Sequence, residues 1–335
     1  MQNNDGMERL LYVGMHDGVC AVSSADGGKT WRQSKVQPLP HAAARLSASA
    51  SVPGRAFLAA YESKLYRTDD AGETWTSLDS YPSDYAHSVV VHPQNHQLVY
   101  TGTEPAAIYR SKDGGDSWEE CAGFRAVPEA SGWNFHIPTR YSHVRDLRMT
   151  PGNPNQLFAG IEVGGMMRSD DGGDSWQQLQ GTNDDVHCID MSPGQPRTVY
   201  VATARAPYRS DDGGETWKLI NQGLDRPYAL HIAADPRDVN VVLLTVSGNS
   251  RRADPQLQRS TDGGETWSPV SSLGSGTEPK DMVVVFDWDR AEPNRVYAGT
   301  DDGRLFESQD QGTTWGQLPI NLGSIAVGAM AVASA

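Results

Sequence analysis

The sequence predicts an all-β fold, a seven-bladed β-propeller of four-stranded antiparallel blades whose ring is closed by the C-terminal strand. Three observations lead there. An octapeptide of the form S/T-x-D-x-G-x-T/S-W occurs seven times, the segments between copies read as short strands, and the two ends of the chain carry complementary parts of one blade.

The copies are SADGGKTW (24–31), TDDAGETW (68–75), SKDGGDSW (111–118), SDDGGDSW (169–176), SDDGGETW (210–217), STDGGETW (260–267) and SQDQGTTW (308–315). Their tryptophans are 44, 43, 58, 41, 50 and 48 residues apart, the period of a propeller or solenoid. Length alone suggests about two domains, but the repeats overrule that, and residues 1–335 read as one domain. Each unit starts with an apolar run ending near proline ("HSVVVHP", "CIDMSP", "HIAADP"), followed by runs such as "LVYTGTE" and "AIYRS" and then the motif. That makes four strands per unit and no amphipathic helix, and four-stranded units set radially leave only short protected edges.

Closure is legible at the ends. The first unit opens at "RLLYVGMHDG", the second strand of a blade, while "SIAVGAMAVASA" at the other end supplies the missing inner strand. Within the motif, Asp171 accepts backbone N–H bonds across a tight turn, Gly173 supplies positive φ, Ser175 bonds locally and Trp176 packs between blades. One well-placed acid per copy is too few for calcium, and there is no Gly-Lys-Ser/Thr for a phosphate loop.

Composition narrows the partners. With 28 Lys plus Arg against 42 Asp plus Glu, the net charge is −14, which disfavours nucleic acid and anionic membranes. Cys20, Cys121 and Cys188 are far apart and lack CxxC spacing, so a reducing compartment fits. "MQNNDGMERLLYVG" lacks a basic segment followed by a long apolar one, and no window is apolar enough to span a membrane. A cytoplasmic monomer is the expectation.

On its seven motifs the chain resembles the Asp-box, or BNR-repeat, propellers, which include sialidases, sortilin-type receptors, certain glucanases and the photosystem II assembly factor. The resemblance spans nearly the whole chain. It implies that the repeated turn joins the third and fourth strands, on the face opposite the usual binding site, so function belongs on the other face.

Two loop classes meet there: the starts of the inner strands and the hairpins between second and third strands. Aligning inner strands on their prolines puts His87, Arg145, His187 and Leu230 in one register, with Tyr85, His143, Asp185 and Tyr228 two residues earlier. The hairpins bring acids at nearly one offset, Glu62, Glu104, Glu162 and Asp301, with His16 and Asp17 in the first blade and Arg205 in the fifth. A hairpin acid is ordinarily a solvated turn residue and a histidine at a strand start is ordinarily structural; both classes on one rim point further. The insertion 124–142 carries Trp133, Phe135, His136, Arg140 and Tyr141 and reads as a lid or pocket wall. A second insertion places Arg251 and Arg252 on the same face.

The resulting expectation is a small-molecule enzyme, hydrolase or lyase, with its pocket on the axis opposite the Asp boxes. His87, His187, Arg145, Glu104 and Glu162 are its catalytic candidates, and Tyr85, Trp133, His136, Arg140, Tyr141, Tyr228 and Arg205 its substrate-binding candidates. One divalent transition metal held by His87, His143 and His187 is the cofactor such a set would take. The sialidase likeness implies a three-arginine site and an F/Y-R-I-P string, but "FHIP" (135–138) has His136 in place of arginine, and Arg145, Arg205 and Arg252 do not read as a triad. The competing classes are a protein-interaction or assembly-factor propeller and a carbohydrate-active enzyme drawing its carboxylates from Glu62, Glu104, Glu162 and Asp301.

Overall fold

The structure is a computed structural model and describes residues 8–135, 140–193, 195, 197–271, 273, 282–292 and 294–333. Seven antiparallel sheets form a ring in which each inner strand packs against the inner strands of its two neighbours. Blade 1 comprises β1 (Arg9–Met15), β2 (Gly18–Ser24) and β3 (Arg32–Gln33), with β4 (Gln37–Pro38) also pairing with β2. Blade 2 follows as β5 (Ala43–Ala48), β6 (Ala56–Ala60), β7 (Leu65–Thr68) and β8 (Thr76–Ser77), and blade 3 as β9 (Ala86–Val91), β10 (Val99–Thr103), β11 (Ile108–Ser111) and β12 (Glu119–Glu120). Blade 4 is β13 (His143–Thr150), β14 (Asn153–Glu162), β15 (Gly165–Ser169) and β16 (Gln177–Leu179), and blade 5 is β17 (Val186–Met191), β18 (Val199–Thr203), β19 (Pro207–Ser210) and β20 (Lys218–Leu219). Blade 6 contains β21 (Tyr228–Ala234), β22 (Val242–Ser247), β23 (Gln256–Ser260) and β24 (Ser268–Pro269); blade 7 contains β25 (Val283–Trp288), β26 (Val296–Thr300), β27 (Arg304–Ser308) and β28 (Gly316–Asn321).

The last strand, β29 (Ile325–Ala333), returns to blade 1 and pairs antiparallel with β1, setting Leu10 opposite Ala333 and Val13 opposite Met330. The inner strand read from "SIAVGAMAVASA" therefore stands where the sequence placed it. Helix is confined, among the described residues, to two short 3-10 turns in the insertion, Ala122–Phe124 and Pro128–Gly132. No described helix is long and apolar enough to cross a membrane.

Each repeated motif closes its turn as its chemistry requires. Asp171 Oδ1 accepts the Ser175 N–H at 2.9 Å and Oδ2 its hydroxyl at 2.5 Å, while the Ser169 hydroxyl accepts the Gly173 N–H at 2.8 Å. Gly173 has φ +93°, and a Cβ there would stand 3.2 Å from Cys121 Sγ of the neighbouring blade. Trp176 seals the same interface against Phe124, ring centroids 5.2 Å apart. The Ser175 hydroxyl and N–H hold the Asp171 carboxyl down to about 2, so this acid's bonds are all consumed in making the turn.

Towards the axis, inner strands are tied to their neighbours by side chains that bond main chain. Asp146 accepts the Ile189 N–H at 2.8 Å, Asp190 that of Ala234 at 2.8 Å, and Asp287 that of Val332 at 3.0 Å. His231 Nε2 meets the Phe286 carbonyl at 3.1 Å; burial, with Arg45 and Arg148 nearby, pushes this imidazole down to about 3, so it is neutral and donates.

Asp190 and Asp287 differ in sign from Asp146: burial raises both, and at Asp190 it outweighs Arg148 and pushes the carboxyl up to about 6. A carboxyl that holds its proton more tightly folded than unfolded costs stability as pH rises. The cost is absent below the unfolded value of about 4, grows between there and 6, and is complete above 6, at about 1–3 kcal/mol. Asp190→Asn keeps an oxygen for the Ala234 N–H. It is expected to stabilise the protein by about that amount at pH 7.5 and by nothing at pH 4, as read by urea denaturation at the two pH values.

Candidate functional site

One irregularity recurs in the inner strands and builds the site. In blades 2 to 7 the pairing between first and second strands slips by one residue, skipping Ala44, His87, Arg145, His187, Leu230 and Val284 in turn. An extra residue in one strand re-aims its side chain and bends the strand. The register read from the prolines is therefore a register of bulges, and in blades 3, 4 and 5 it carries an imidazole, a guanidinium and an imidazole. Blades 2, 6 and 7 fill the same position with Ala44, Leu230 and Val284, all buried.

On the face opposite the Asp-box turns, the bulged residues meet the hairpin acids in a continuous polar network. His87 Nε2 lies 3.1 Å from Glu104 Oε2, and His143 Nδ1 3.8 Å from the same oxygen. The other nitrogen of His143, Nε2, lies 3.2 Å from Glu162 Oε2, which is also bonded by Arg145 Nη1. The imidazoles of His87 and His143 lie with centroids 4.1 Å apart, flanked by Tyr61 on one side and Phe135 on the other. Main chain fixes Glu104: its Oε1 accepts the Tyr141 N–H at 3.0 Å and its own N–H donates to the Tyr85 carbonyl at 3.1 Å.

Ionisation follows from these contacts. Burial, aided by His143, pushes the His87 imidazole down to about 4, so it is neutral at pH 7 and donates to Glu104. Burial opposes the Glu104 carboxylate, yet bonds from His87 and the Tyr141 N–H hold it at about 2. Burial likewise opposes Glu162, but Arg145 and then His143 keep it well below the usual range, and Glu162 in turn outweighs burial in keeping Arg145 charged.

Blade 5 contributes a second, smaller group. His187 is fully buried, and its Nδ1 must donate to the Ala229 carbonyl at 2.7 Å because a carbonyl only accepts. Its Nε2 lies 3.3 Å from Asp185 Oδ1, off the line of a good hydrogen bond, and neither atom has another partner among the described residues. Arg145 Nε is also buried without a partner. The Tyr228 ring packs at a tilt against His187, centroids 4.7 Å apart, and burial pushes its hydroxyl up to about 12, so it remains a donor.

Other residues singled out from sequence lie apart from this network. Tyr85 presents an exposed ring and Arg205 is exposed beside a small cavity of about 140 Å³ with Asp225 and Arg226. Glu62 pairs with His41 at 3.8 Å, and Asp301 with Arg252 at 3.1 Å and His16 at 3.7 Å. The acids at one hairpin offset thus divide into three groups. His136 lies outside the described residues. Trp133, Arg140 and Tyr141 line a cleft of about 440 Å³ whose wall also includes Pro105 and Phe135. This cleft adjoins Glu104 and His143 through their neighbours Pro105 and Ser142, which stand in its wall. Among the described residues, the His and carboxylate side chains close enough together to hold a metal are His87, Glu104 and His143; His187, expected from sequence as a third ligand, is not in that group.

Tyr61 and the axial charges escaped the sequence reading. Arg45 stands in "RLSASASVP", an inner-strand segment of mostly small residues, and yet its guanidinium reaches the His187 carbonyl at 2.9 Å. The signal was present: Arg45, Asp146, Arg148, Asp190, His231 and Asp287 all lie on short inner strands, where a charge needs a reason.

Comparison with known proteins supports the fold and its kin. The xyloglucanase Xgh74A of Acetivibrio thermocellus is 24% identical over 250 residues, covering 63% of this chain and 29% of the xyloglucanase. The chain spans under a third of the length of the curated xyloglucanases it matches. A structure of YCF48 bound to D1 peptide superposes with a TM-score of 0.58 at 21% identity, covering 85% of this chain and 86% of that one. An ancestral GH74 enzyme superposes with a TM-score of 0.60 at 20% identity over 79% of this chain and 36% of that one. A family model described as "Sortilin, neurotensin receptor 3" matches residues 21–136 and 164–272, more than half of the sequence, and the chain accordingly belongs to the Sortilin-Vps10 family.

Proposed function

We propose that the chain is a small-molecule enzyme of hydrolase or lyase type, working by acid–base chemistry at the mouth opposite the Asp-box turns. The observation that carries this reading is the His187–Asp185 pair. With His187 Nδ1 committed to a carbonyl, two acceptor atoms lie 3.3 Å apart with no proton donor between them, a repulsive arrangement that the arrival of one proton relieves. Asp185 is the accessible member, 30% exposed against 0% for His187. It would take a proton from water or from carbon beside a carbonyl, with the imidazole behind it sharing that proton. Arg145, Tyr61 and Tyr228 supply donors for the negative charge that develops on the substrate. Glu104, Glu162, His87 and His143 position Arg145 and the floor of the site.

A glycosidase needs one carboxyl kept protonated as general acid, and Glu104 and Glu162 are both held ionised. A binding propeller remains the competing class. The two separate in a panel of nitrophenyl esters, lactones and β-substituted carboxylic acids, read for turnover at pH 7. Wild type is expected to turn over one class, and Asp185→Asn to lose about 10²–10⁴-fold in rate with an unchanged Tm. Full activity in Asp185→Asn, or no turnover by wild type of any class, contradicts the reading.

A further inference from the structure

We infer that His87 Nε2, Glu104 Oε2 and His143 Nδ1 form a binding site for one divalent transition metal ion. The inference goes beyond the acid–base reading and stands whether or not the Asp185 dyad turns anything over. The three ligand atoms lie within 4.8 Å of one another, with Glu104 Oε2 3.1 Å from one nitrogen and 3.8 Å from the other. Ions bound by nitrogen and oxygen at about 2.0–2.2 Å hold neighbouring ligand atoms a little over 3 Å apart, so the set closes on an ion by small side-chain adjustments, with the His87 proton moving from Nε2, where it meets Glu104, to the other ring nitrogen. Two imidazoles and one carboxylate suit Zn²⁺, Co²⁺, Ni²⁺ or Fe²⁺, and lack the oxygens that Ca²⁺ and Mg²⁺ require.

Neighbouring groups orient the ligands as metal sites require. His143 presents Nε2 to Glu162 at 3.2 Å, and Arg145 holds Glu162 from behind. A carboxylate on the far nitrogen of a ligand histidine fixes its tautomer and raises its basicity. The Nδ1 of His143 faces Glu104 Oε2 at 3.8 Å and the Tyr141 carbonyl at 3.3 Å, so an ion binding there takes the place of the proton that Nδ1 otherwise offers to that carbonyl, and binding releases it. The insertion cleft approaches the cluster, its wall including Pro105 and Ser142, the sequence neighbours of Glu104 and His143, together with Tyr141. Three protein ligands leave coordination positions open, the pattern of sites that bind water or substrate.

The test uses untagged full chain, stripped with chelator and titrated with Zn²⁺ and Co²⁺, followed by calorimetry and by the visible bands of Co²⁺. One ion per chain is expected. His87→Ala or Glu104→Gln should weaken binding at least about 100-fold, and Glu162→Gln, which touches no metal, about 10–100-fold. Glu62→Gln should leave affinity unchanged. If a ligand variant fails to fold, X-ray absorption on the Co²⁺-loaded wild type decides instead, with two imidazoles and a carboxylate oxygen expected. Wild type that takes up no stoichiometric ion, binding unaffected in folded His87→Ala, or a set of ligand atoms without imidazole overturns the inference.

Discussion

A chain ending at Gly323 is expected not to fold. Its β1 would lose the partner that bonds it from Leu10 to Met15, leaving a row of unpaired N–H and C=O groups facing the axis. Ile325, Ala326, Ala329, Met330 and Ala331 are all buried in β29, and burying one large apolar side chain contributes about 1.5–3 kcal/mol. The strand also supplies the Val332 N–H to Asp287 and the Val327 carbonyl to Arg45, so its loss strips bonds from blades 7 and 2 as well. Against a total stability of about 5–15 kcal/mol for a typical protein, these losses together leave no margin. Loss of near-ultraviolet circular dichroism and of any cooperative unfolding transition is the expected result. A truncated chain with a native spectrum and an unchanged Tm would show that the ring does not depend on closure.

Arg45→Ala is expected to be the most damaging single substitution away from the mouth. The Arg45 guanidinium donates to the carbonyls of Ala44 and Val327, each at 3.0 Å, and of His187 at 2.9 Å, and lies 3.7 Å from Asp146. One side chain on blade 2 thereby bridges blades 1, 4 and 5. The approach is so close that a Cβ on Gly328, at φ +70°, would stand 2.1 Å from Arg45 Nη1. Burial opposes the Asp146 carboxylate, and Arg148 and Arg45 together keep it below its ordinary value. Removing Arg45 leaves that charge undercompensated, at a cost of about 3–5 kcal/mol. Because the same group holds the carbonyl of bulged His187, any turnover should fall along with Tm. Denaturation of Arg45→Ala, Asp146→Asn and the double variant measures the coupling; additive losses would mean that the pair does not act as described.

The fold was legible because its signals repeat. Seven copies of one turn average out the ambiguity of any single copy, and closure needed only the recognition that "SIAVGAMAVASA" has the pattern of an inner strand. The site was legible in outline for a related reason: aligned repeats expose where blades 3, 4 and 5 replace small residues by His87, Arg145 and His187. Grouping was not legible. Whether Glu104 meets His143 depends on side-chain reach across a blade interface, and the sequence gives only the offset at which each acid leaves its hairpin. Glu62, Glu104, Glu162 and Asp301 share that offset, yet only Glu104 and Glu162 stand beside the histidines. Distances across the ring are set by the number and tilt of blades, and Arg45 reaching His187 is a contact that no local pattern encodes.

The proposed function places activity at the mouth formed by blades 3 to 6 and not at the conspicuous repeated turns. Hydrogen–deuterium exchange, with and without the ester, lactone or β-substituted acid that the panel identifies, tests this most directly. Slowed exchange is expected in segments 140–146, 185–188 and 228–230, with no change at 169–176 or 210–217. Protection confined to the Asp-box turns, with the mouth unaffected, would contradict it.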